Sequence, residues 1–117
     1  MRRRVLIVDD HEGFRTSARA LLQDEGFDVV GVAADGSEAL SAVRSLGPDI
    51  VLLDIQLPGH DGFVVAEELA GTPDPPTVVL ISSRDAVAYG PRLAQSSARG
   101  FLPKRALSGE TLSALVE

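Results

Sequence analysis

Polar side chains with complementary chemistry stand after four short apolar runs of the sequence. Asp9 and Asp10 follow the first run, Asp54 follows the third, Ser82 follows the fourth, and Lys104 closely follows the fifth. If these runs are neighbouring strands, three carboxylates, a hydroxyl and an ammonium group meet at one sheet edge. Carboxylates packed together repel one another unless a proton or a cation neutralises them. Mg²⁺ suits such a site, because it prefers oxygen ligands and also binds phosphate oxygens.

The same residues could receive a phosphoryl group. The chain has no cysteine and no plausible Ser-His pair, so a carboxylate is the best nucleophile, and a carboxylate can form an acyl phosphate. Ser82 and Lys104 would then complete the coordination of the phosphoryl oxygens opposite the metal. The residue types therefore indicate phosphoryl chemistry at the ends of the strands.

The elements that must position these residues follow from the alternation of apolar runs with helical periods. Strands are predicted at residues 5–8, 29–33, 50–53, 78–81 and 100–102. They are almost continuously apolar, which is typical of parallel strands covered on both faces. Helices are predicted from core-facing stripes at Phe14, Ala18, Leu21 and Leu22; at Ala39, Leu40, Val43 and Leu46; at Val65, Ala66 and Leu69; and at Leu112, Leu115 and Val116.

Two of the predicted helices have distinctive boundary residues. The fourth, near residues 85–95, has a weaker stripe and contains Gly90 and Pro91, so we expect an irregular first turn. The last helix should begin after Ser108 as its N-cap.

Five strand-helix units are too few for an eight-stranded barrel, which leaves an open, doubly wound parallel α/β sheet. Ligands bind such sheets at the carboxyl ends of the strands, where the acids stand.

Length, charge and hydropathy limit the class of function. The chain has 117 residues and a net charge of −6, which suits one globular domain. Residues 5–83 carry three Arg against fourteen acids, which argues against direct nucleic-acid contact by this domain. No apolar run approaches the roughly 18 residues of a membrane span. The first run is too short for a signal peptide, so we expect a cytoplasmic protein.

Five segments in order carry a resemblance to a known family. They are residues 7–10 (Ile-Val-Asp-Asp), 53–59 (Leu-Asp-Ile-Gln-Leu-Pro-Gly), 61–62 (Asp-Gly), 81–83 (Ile-Ser-Ser) and 100–104 (Gly-Phe-Leu-Pro-Lys). With them the sequence resembles a response-regulator receiver domain of bacterial two-component signalling, of the CheY-like superfamily, as found in LuxR-type regulators. The resemblance covers residues 1–117 as one receiver domain. It implies a flavodoxin-like (βα)5 sheet with strand order 2-1-3-4-5.

The resemblance also implies a phosphoacceptor and a metal. Asp54 would accept a phosphoryl group from a sensor histidine kinase or a phosphotransfer protein. Mg²⁺, which Mn²⁺ could replace, would be held by Asp10, Asp54 and the backbone carbonyl of Gln56. Asp9 would act mainly through a metal-bound water. Such a domain is a phosphorylated switch rather than a conventional enzyme.

Further roles come from the same resemblance. Ser82 would hydrogen-bond the phosphoryl oxygens, Lys104 would pair with them, and Phe101 would change rotamer with Ser82. Gln56 and Arg84 occupy positions that tune the lifetime of the acyl phosphate, and we hypothesise that Arg84 shields it from water. The output surface, and the face of a homodimer, would be helix 4, strand 5 and helix 5. Whether the receiver stands alone or belongs to a DNA-binding regulator stays open.

Two other functions remain as alternatives. A degenerate receiver could serve as a phosphorylation-independent binding module, although every acidic and basic site residue is retained. A haloacid-dehalogenase-like phosphohydrolase would need a second Asp where Gln56 stands.

Arg105 follows Lys104 where the family often has proline, so we expect a trans peptide bond there. His11 and His60 lack metal-ligand spacing and are expected to be exposed polar residues.

Overall fold

Five parallel strands form the central sheet of the computed structural model, which describes residues 2–117. The strands, numbered along the chain, are β1 Arg4–Val8, β2 Asp28–Ala33, β3 Ile50–Asp54, β4 Thr77–Ser82 and β5 Gly100–Pro103. Their spatial order is β2-β1-β3-β4-β5, and every neighbouring pair is parallel. Each strand contains its predicted apolar run. The predicted fold class and strand order are confirmed.

The helices cover both faces of this sheet. They are α1 Glu12–Asp24, α2 Gly36–Leu46, α3 Gly62–Ala70, α4 Pro91–Gln95 and α5 Gly109–Val116. Ser108 caps α5 as predicted, because its hydroxyl accepts from the N–H of Thr111 while the Thr111 hydroxyl accepts from the N–H of Ser108. Within residues 2–117, none of the helices has the length and apolar character needed to cross a membrane.

The fourth helix is shorter than the predicted range of residues 85–95. A 3-10 turn at Ala86–Ala88 comes first, Gly90 has φ +56°, and the helix itself begins at Pro91. Proline lacks an N–H and clashes with the preceding turn, so it is tolerated at the first helical position and interrupts a helix elsewhere. The expected irregularity therefore extends over the whole first half of the predicted helix.

The core consists of two layers, one on each face of the sheet. Along β1, Leu6 and Val8 point towards α2 and α3, whereas Val5 and Ile7 point towards α1 and α5. All four side chains are fully buried. This burial on both faces explains why the strands read as continuous apolar runs instead of alternating ones.

One predicted core position is wrong. Leu22 of α1 is fully buried, but Leu21 is 36% exposed. Successive helical residues point about 100° apart, so a single core-facing stripe cannot bury both side chains equally. The packing of α1 on the sheet selects Leu22.

A close backbone approach holds the end of β3 in place. After β3, Gln56–Leu57 pairs with His60–Asp61 as a small antiparallel hairpin, which leads into α3. A Cβ atom on Gly62 would lie 2.4 Å from the carbonyl oxygen of Asp54 and 2.5 Å from Cα of Ile55. Glycine is therefore required at this position, and it lets α3 start directly beside Asp54.

Candidate functional site

The carboxyl ends of β1, β3 and β5 bring three charged groups into contact. Nζ of Lys104 lies 2.5 Å from Oδ2 of Asp9 and 3.2 Å from Oδ2 of Asp54. Asp9 is fully buried and Asp54 is 3% exposed. Because β4 separates β3 from β5, the long lysine side chain crosses a neighbouring strand to reach both acids. The structure therefore confirms that these three residues converge, as predicted.

The two buried carboxylates differ in their electrostatic environment. Burial raises the pKa of Asp54 to about 6, although the N–H of Gln56 and the charge of Lys104 favour ionisation. Burial also opposes ionisation of Asp9, but hydrogen bonds from Lys104 and His11, together with the charge of Lys104, hold its pKa below the usual value. Burial disfavours the charged form of Lys104 as well, yet the two acids raise its pKa. Asp9 and Lys104 are therefore an ion pair, and Asp54 is the more basic carboxylate.

Asp10 and His11 complete a cluster of ligand-type atoms at the open side of the site. Nδ1 of His11 lies 3.0 Å from Oδ1 of Asp9 and 3.2 Å from Oδ1 of Asp10. One ligand atom from each of Asp9, Asp10, His11 and Asp54 falls within 4.8 Å of the others. Three carboxylates supply the hard oxygen donors that Mg²⁺ prefers, so the donor set fits this cation.

His11 is a site neighbour that the sequence reasoning did not assign. Its side chain is 69% exposed at the start of α1, as predicted, but it also contacts two of the clustered carboxylates. The sequence signal that could have identified His11 is its position directly after the acidic pair Asp9 and Asp10. His60, in contrast, lies in the hairpin before α3, where Nδ1 is 3.2 Å from the carbonyl oxygen of Pro58.

Ser82 ends β4 beside the acceptor strand, and its hydroxyl is engaged on the side of α4. Asp54 and Ile81 are register partners in β3 and β4, which places Ser82 next to the end of β3. The Ser82 Oγ accepts from the N–H of Arg84 at 3.0 Å and lies 2.5 Å from the Tyr89 hydroxyl. Ser82 is fully buried. Tyr89 did not appear among the predicted site residues.

Tyr89 lies in a row of aromatic rings that includes the predicted switch residue Phe101. The ring of Tyr89 is 6.0 Å from that of Phe101 and 5.8 Å from that of Phe63. The guanidinium of Arg92, in α4, stacks 4.2 Å from the Phe63 ring centre and pairs with Asp61. The row therefore connects Ser82 to the first turn of α4.

Gln56 and Arg84 are the remaining predicted positions, and of these Gln56 contacts Asp54 directly. The N–H of Gln56 donates to Oδ1 of Asp54 at 3.0 Å, and the side chains of Gln56 and Arg84 are exposed.

No cis peptide bond occurs in residues 2–117, so the bond from Lys104 to Arg105 is trans, as predicted. Arg105 turns outward and pairs with Asp85.

Comparisons with known proteins agree with this geometry. Response regulator GacA of Pseudomonas viridiflava is 36% identical over 113 residues, which are 96% of this chain and 53% of GacA. DNA-binding response regulator MtrA of Mycolicibacterium smegmatis is 45% identical over 87 residues, or 74% of this chain and 38% of MtrA. A two-component response regulator of the LuxR family from Aurantimonas sp. SI85-9A1 has a TM-score of 0.86 at 28% identity, covering 98% and 83% of the two chains.

These comparisons also define how far the likeness reaches. The chain spans about half of the length of GacA and less of MtrA. The response regulator receiver domain family matches residues 5–117, which include every strand end of the site. The chain therefore belongs to the response regulator receiver domain family of two-component signalling.

Proposed function

We propose that Asp54 is the phosphoacceptor of this receiver. The supporting observation is a buried carboxylate with a raised pKa, 3.2 Å from the ammonium group of Lys104. A more basic carboxylate is a stronger nucleophile, and the adjacent cation stabilises the charge of an incoming phosphoryl group. In the transfer, the phosphorus-nitrogen bond of a kinase phosphohistidine breaks and a bond from phosphorus to a carboxylate oxygen of Asp54 forms. The donor would be a sensor histidine kinase or a phosphotransfer protein.

Mg²⁺, or Mn²⁺ in its place, would be held by Asp10, Asp54 and the backbone carbonyl of Gln56, with Asp9 acting through a water. Once bound, the cation supplies positive charge that neutralises the carboxylates and the phosphoryl oxygens. Asp9 also keeps Lys104 in place through their ion pair. The exposed position of Asp10 leaves the entrance to the cluster open.

Ser82 and Lys104 would bind the phosphoryl oxygens after transfer, and Phe101 would respond to the movement of Ser82. Phosphorylation would then change the face formed by α4, β5 and α5. This face would contact an output domain or a second copy of the chain. Transcriptional control is the output that we propose, because GacA and MtrA are response regulators and MtrA binds DNA. The receiver would act in the cytoplasm, and residues 1–117 would form one domain.

Arg84 is proposed to lengthen the lifetime of the phosphorylated state. Its side chain is exposed, and its backbone N–H binds Ser82 beside the acceptor. A cation there can cover the acyl phosphate and keep water away. We expect Arg84→Ala to shorten the half-life of phosphorylated protein about threefold or more, an effect of the size of one weak charge interaction. An unchanged half-life, measured by intact mass after removal of the donor, would disprove this role.

The two alternative functions have less support. A phosphohydrolase of the haloacid-dehalogenase type needs a general acid two residues after the nucleophile, and Gln56 there is a neutral amide. A phosphorylation-independent binding module has no use for the contacts that Lys104 makes with Asp9 and Asp54. Both alternatives predict no stable gain of a phosphoryl group by the chain itself.

The deciding experiment is intact-mass measurement after incubation with acetyl phosphate and Mg²⁺. We expect one added phosphoryl group on the wild-type chain and none on Asp54→Ala or in the presence of a chelator. Asp74→Asn is the matched control, because Asp74 is an exposed acid in the loop before β4, with φ +52° that asparagine tolerates. A folded chain that gains no mass would overturn the phosphoacceptor proposal and favour the binding module.

A further inference from the structure

The hydroxyl groups of Ser82 and Tyr89 form a bond that the phosphoacceptor proposal does not use. Their oxygens are 2.5 Å apart, and Ser82 is fully buried. The Tyr89 ring is half-buried and is held between Phe63 and Phe101 by edge-to-face and tilted contacts. Ser82 is thus bound from the side of Tyr89, and its hydroxyl has no hydrogen bond to Asp9 or Asp54 within residues 2–117.

Counting protons indicates which group donates. A serine hydroxyl has one proton and two lone pairs, and one lone pair of Ser82 already accepts from the N–H of Arg84. If Tyr89 donated, the proton of the buried Ser82 would have no acceptor among the hydrogen bonds of residues 2–117. A buried donor without an acceptor is strongly disfavoured. This count favours Ser82 as the donor and Tyr89 as the acceptor.

We infer that Tyr89 is a positioning residue that competes with the phosphoryl group for the Ser82 hydroxyl. This inference rests on the proposed function, in which Ser82 binds the phosphoryl oxygens on Asp54. Ser82 can donate to the phosphoryl group only by releasing Tyr89, because it has a single proton. A hydrogen bond to a charged oxygen is about twice as strong as one between neutral groups. Ser82 therefore donates to the phosphoryl oxygen in preference to Tyr89.

Release of Tyr89 changes the contacts of α4. Tyr89 lies between the 3-10 turn Ala86–Ala88 and the start of the helix at Pro91, next to Gly90, whose φ is positive. Its ring touches Phe63, on which Arg92 of α4 stacks. A hydroxyl that loses Ser82 must find water or another partner, which favours movement of this segment. Tyr89 thus links the charge at Asp54 to the proposed output face.

The first test compares Tyr89→Phe with the wild-type chain for binding of beryllium fluoride in the presence of Mg²⁺. Beryllium fluoride adds to a carboxylate as a tetrahedral analogue of a phosphoryl group, and calorimetry gives its affinity at equilibrium. The variant keeps the ring and removes only the competing hydroxyl. We expect about fivefold tighter binding, the factor that corresponds to one net hydrogen bond. Unchanged or weaker binding by a folded variant would overturn the inference.

The second test uses the fact that the chain has one tyrosine and no tryptophan. Tyrosine emission therefore reports Tyr89 alone. We expect Ser82→Ala to shift or change the intensity of this emission without any ligand, and the neighbouring Ser83→Ala, at an exposed position, to leave it unchanged. Beryllium fluoride should change wild-type emission in the same direction as Ser82→Ala. Identical emission from the two variants would contradict the bond.

The two tests separate the possible failures. A wild-type chain that binds no beryllium fluoride and gains no phosphoryl group would overturn the proposed function and the competition together. A wild-type chain that binds the analogue as tightly as Tyr89→Phe would overturn only the competition, and Asp54 would remain the acceptor.

Discussion

At the scale of single residues, the site depends on one lysine shared by two buried acids. Lys104 forms an ion pair with Asp9 and also contacts Asp54, so neither acid has a cation to itself. Asp9 is further stabilised by the N–H of His11 at 2.8 Å, whereas burial dominates the pKa of Asp54. Asp54, the proposed phosphoacceptor, is therefore the acid whose negative charge is less well compensated.

This imbalance predicts how stability depends on pH without a metal. The pKa of Asp54 is raised from an ordinary 3.8 to about 6 by folding. Its contribution to the free energy of unfolding is thus fully present below pH 3.8 and is lost as the pH rises through about 6. We expect a loss on the order of 3 kcal/mol, measured by urea unfolding with a chelator.

Asp54→Asn is the control for that measurement, because the amide cannot release a proton. Its stability should stay flatter over the same pH range. Asp9 has a lowered pKa, so its contribution is lost only as the pH falls below the ordinary value, outside this window. Parallel curves for the wild type and Asp54→Asn would refute the assignment of the pH dependence to Asp54.

At the scale of elements, glycines and caps determine where the helices begin. Asp35, Asp61 and Ser108 each accept an N–H of the first helical turn with their side chains. These local signals are readable in the sequence, as the predicted cap at Ser108 shows. The start of α3 has an additional requirement, since Gly62 must pass close to the backbone of β3.

Replacement of Gly62 by alanine should disrupt that approach. The added Cβ would meet backbone atoms at 2.4 and 2.5 Å, which cannot move without displacing Asp54. We expect a loss of about 2 to 3 kcal/mol in the free energy of unfolding by urea. Gly13→Ala is the control, because Gly13 lies inside α1 with no heavy atom within 4 Å of a new Cβ. Because Gly13 is only the second residue of α1, alanine there should stabilise the protein slightly, by at most about 0.5 kcal/mol. Equal effects of the two variants would argue against a steric requirement at Gly62.

The packing of α1 supplies a second comparison at this scale. Leu22 is fully buried against the sheet, and its neighbour Leu21 is 36% exposed. We expect Leu22→Ala to lower the free energy of unfolding by about 3 kcal/mol, since it leaves a cavity. Leu21→Ala should lower it by less than about 1 kcal/mol. Denaturant titrations of both variants measure the difference, and similar losses would show that the helix packs in another orientation.

At the scale of the whole molecule, the two core layers hold the strand ends in register, so the acids stay together despite their repulsion. Bringing carboxylates together in this way opposes folding, and a bound cation removes the opposition. Cation binding at this cluster would therefore be linked to stability.

Mg²⁺ should accordingly stabilise the folded chain. A ligand that binds only the folded state raises its stability with the logarithm of ligand concentration, by about 1.4 kcal/mol for each tenfold increase above Kd. We expect the Tm of the wild type to rise with Mg²⁺ in this way and the Tm of Asp10→Asn to rise much less. KCl at equal ionic strength controls for screening. The same rise in the Asp10→Asn chain, or in KCl, would place the effect outside the acidic cluster.

The sequence by itself determined the order of the elements and the identity of the central site residues. Apolar runs and helical periods are local properties, and they set the five strands, the parallel sheet and the N-cap of α5. Because parallel strands end at one edge, the positions of Asp9, Asp54 and Lys104 after those strands were sufficient to predict their convergence. The family resemblance supplied the strand order, which the structure confirms.

Only the tertiary structure decided which side chains touch across that edge. Tyr89 reaches Ser82 because a 3-10 turn and a short α4 replace the predicted helix. Leu22 is buried in preference to Leu21, and His11, although mostly exposed as predicted, also contacts two acids. Such contacts depend on the angle and distance between packed elements, and sequence periodicity contains neither quantity. The raised pKa of Asp54 has the same origin, since burial is a property of the assembled core.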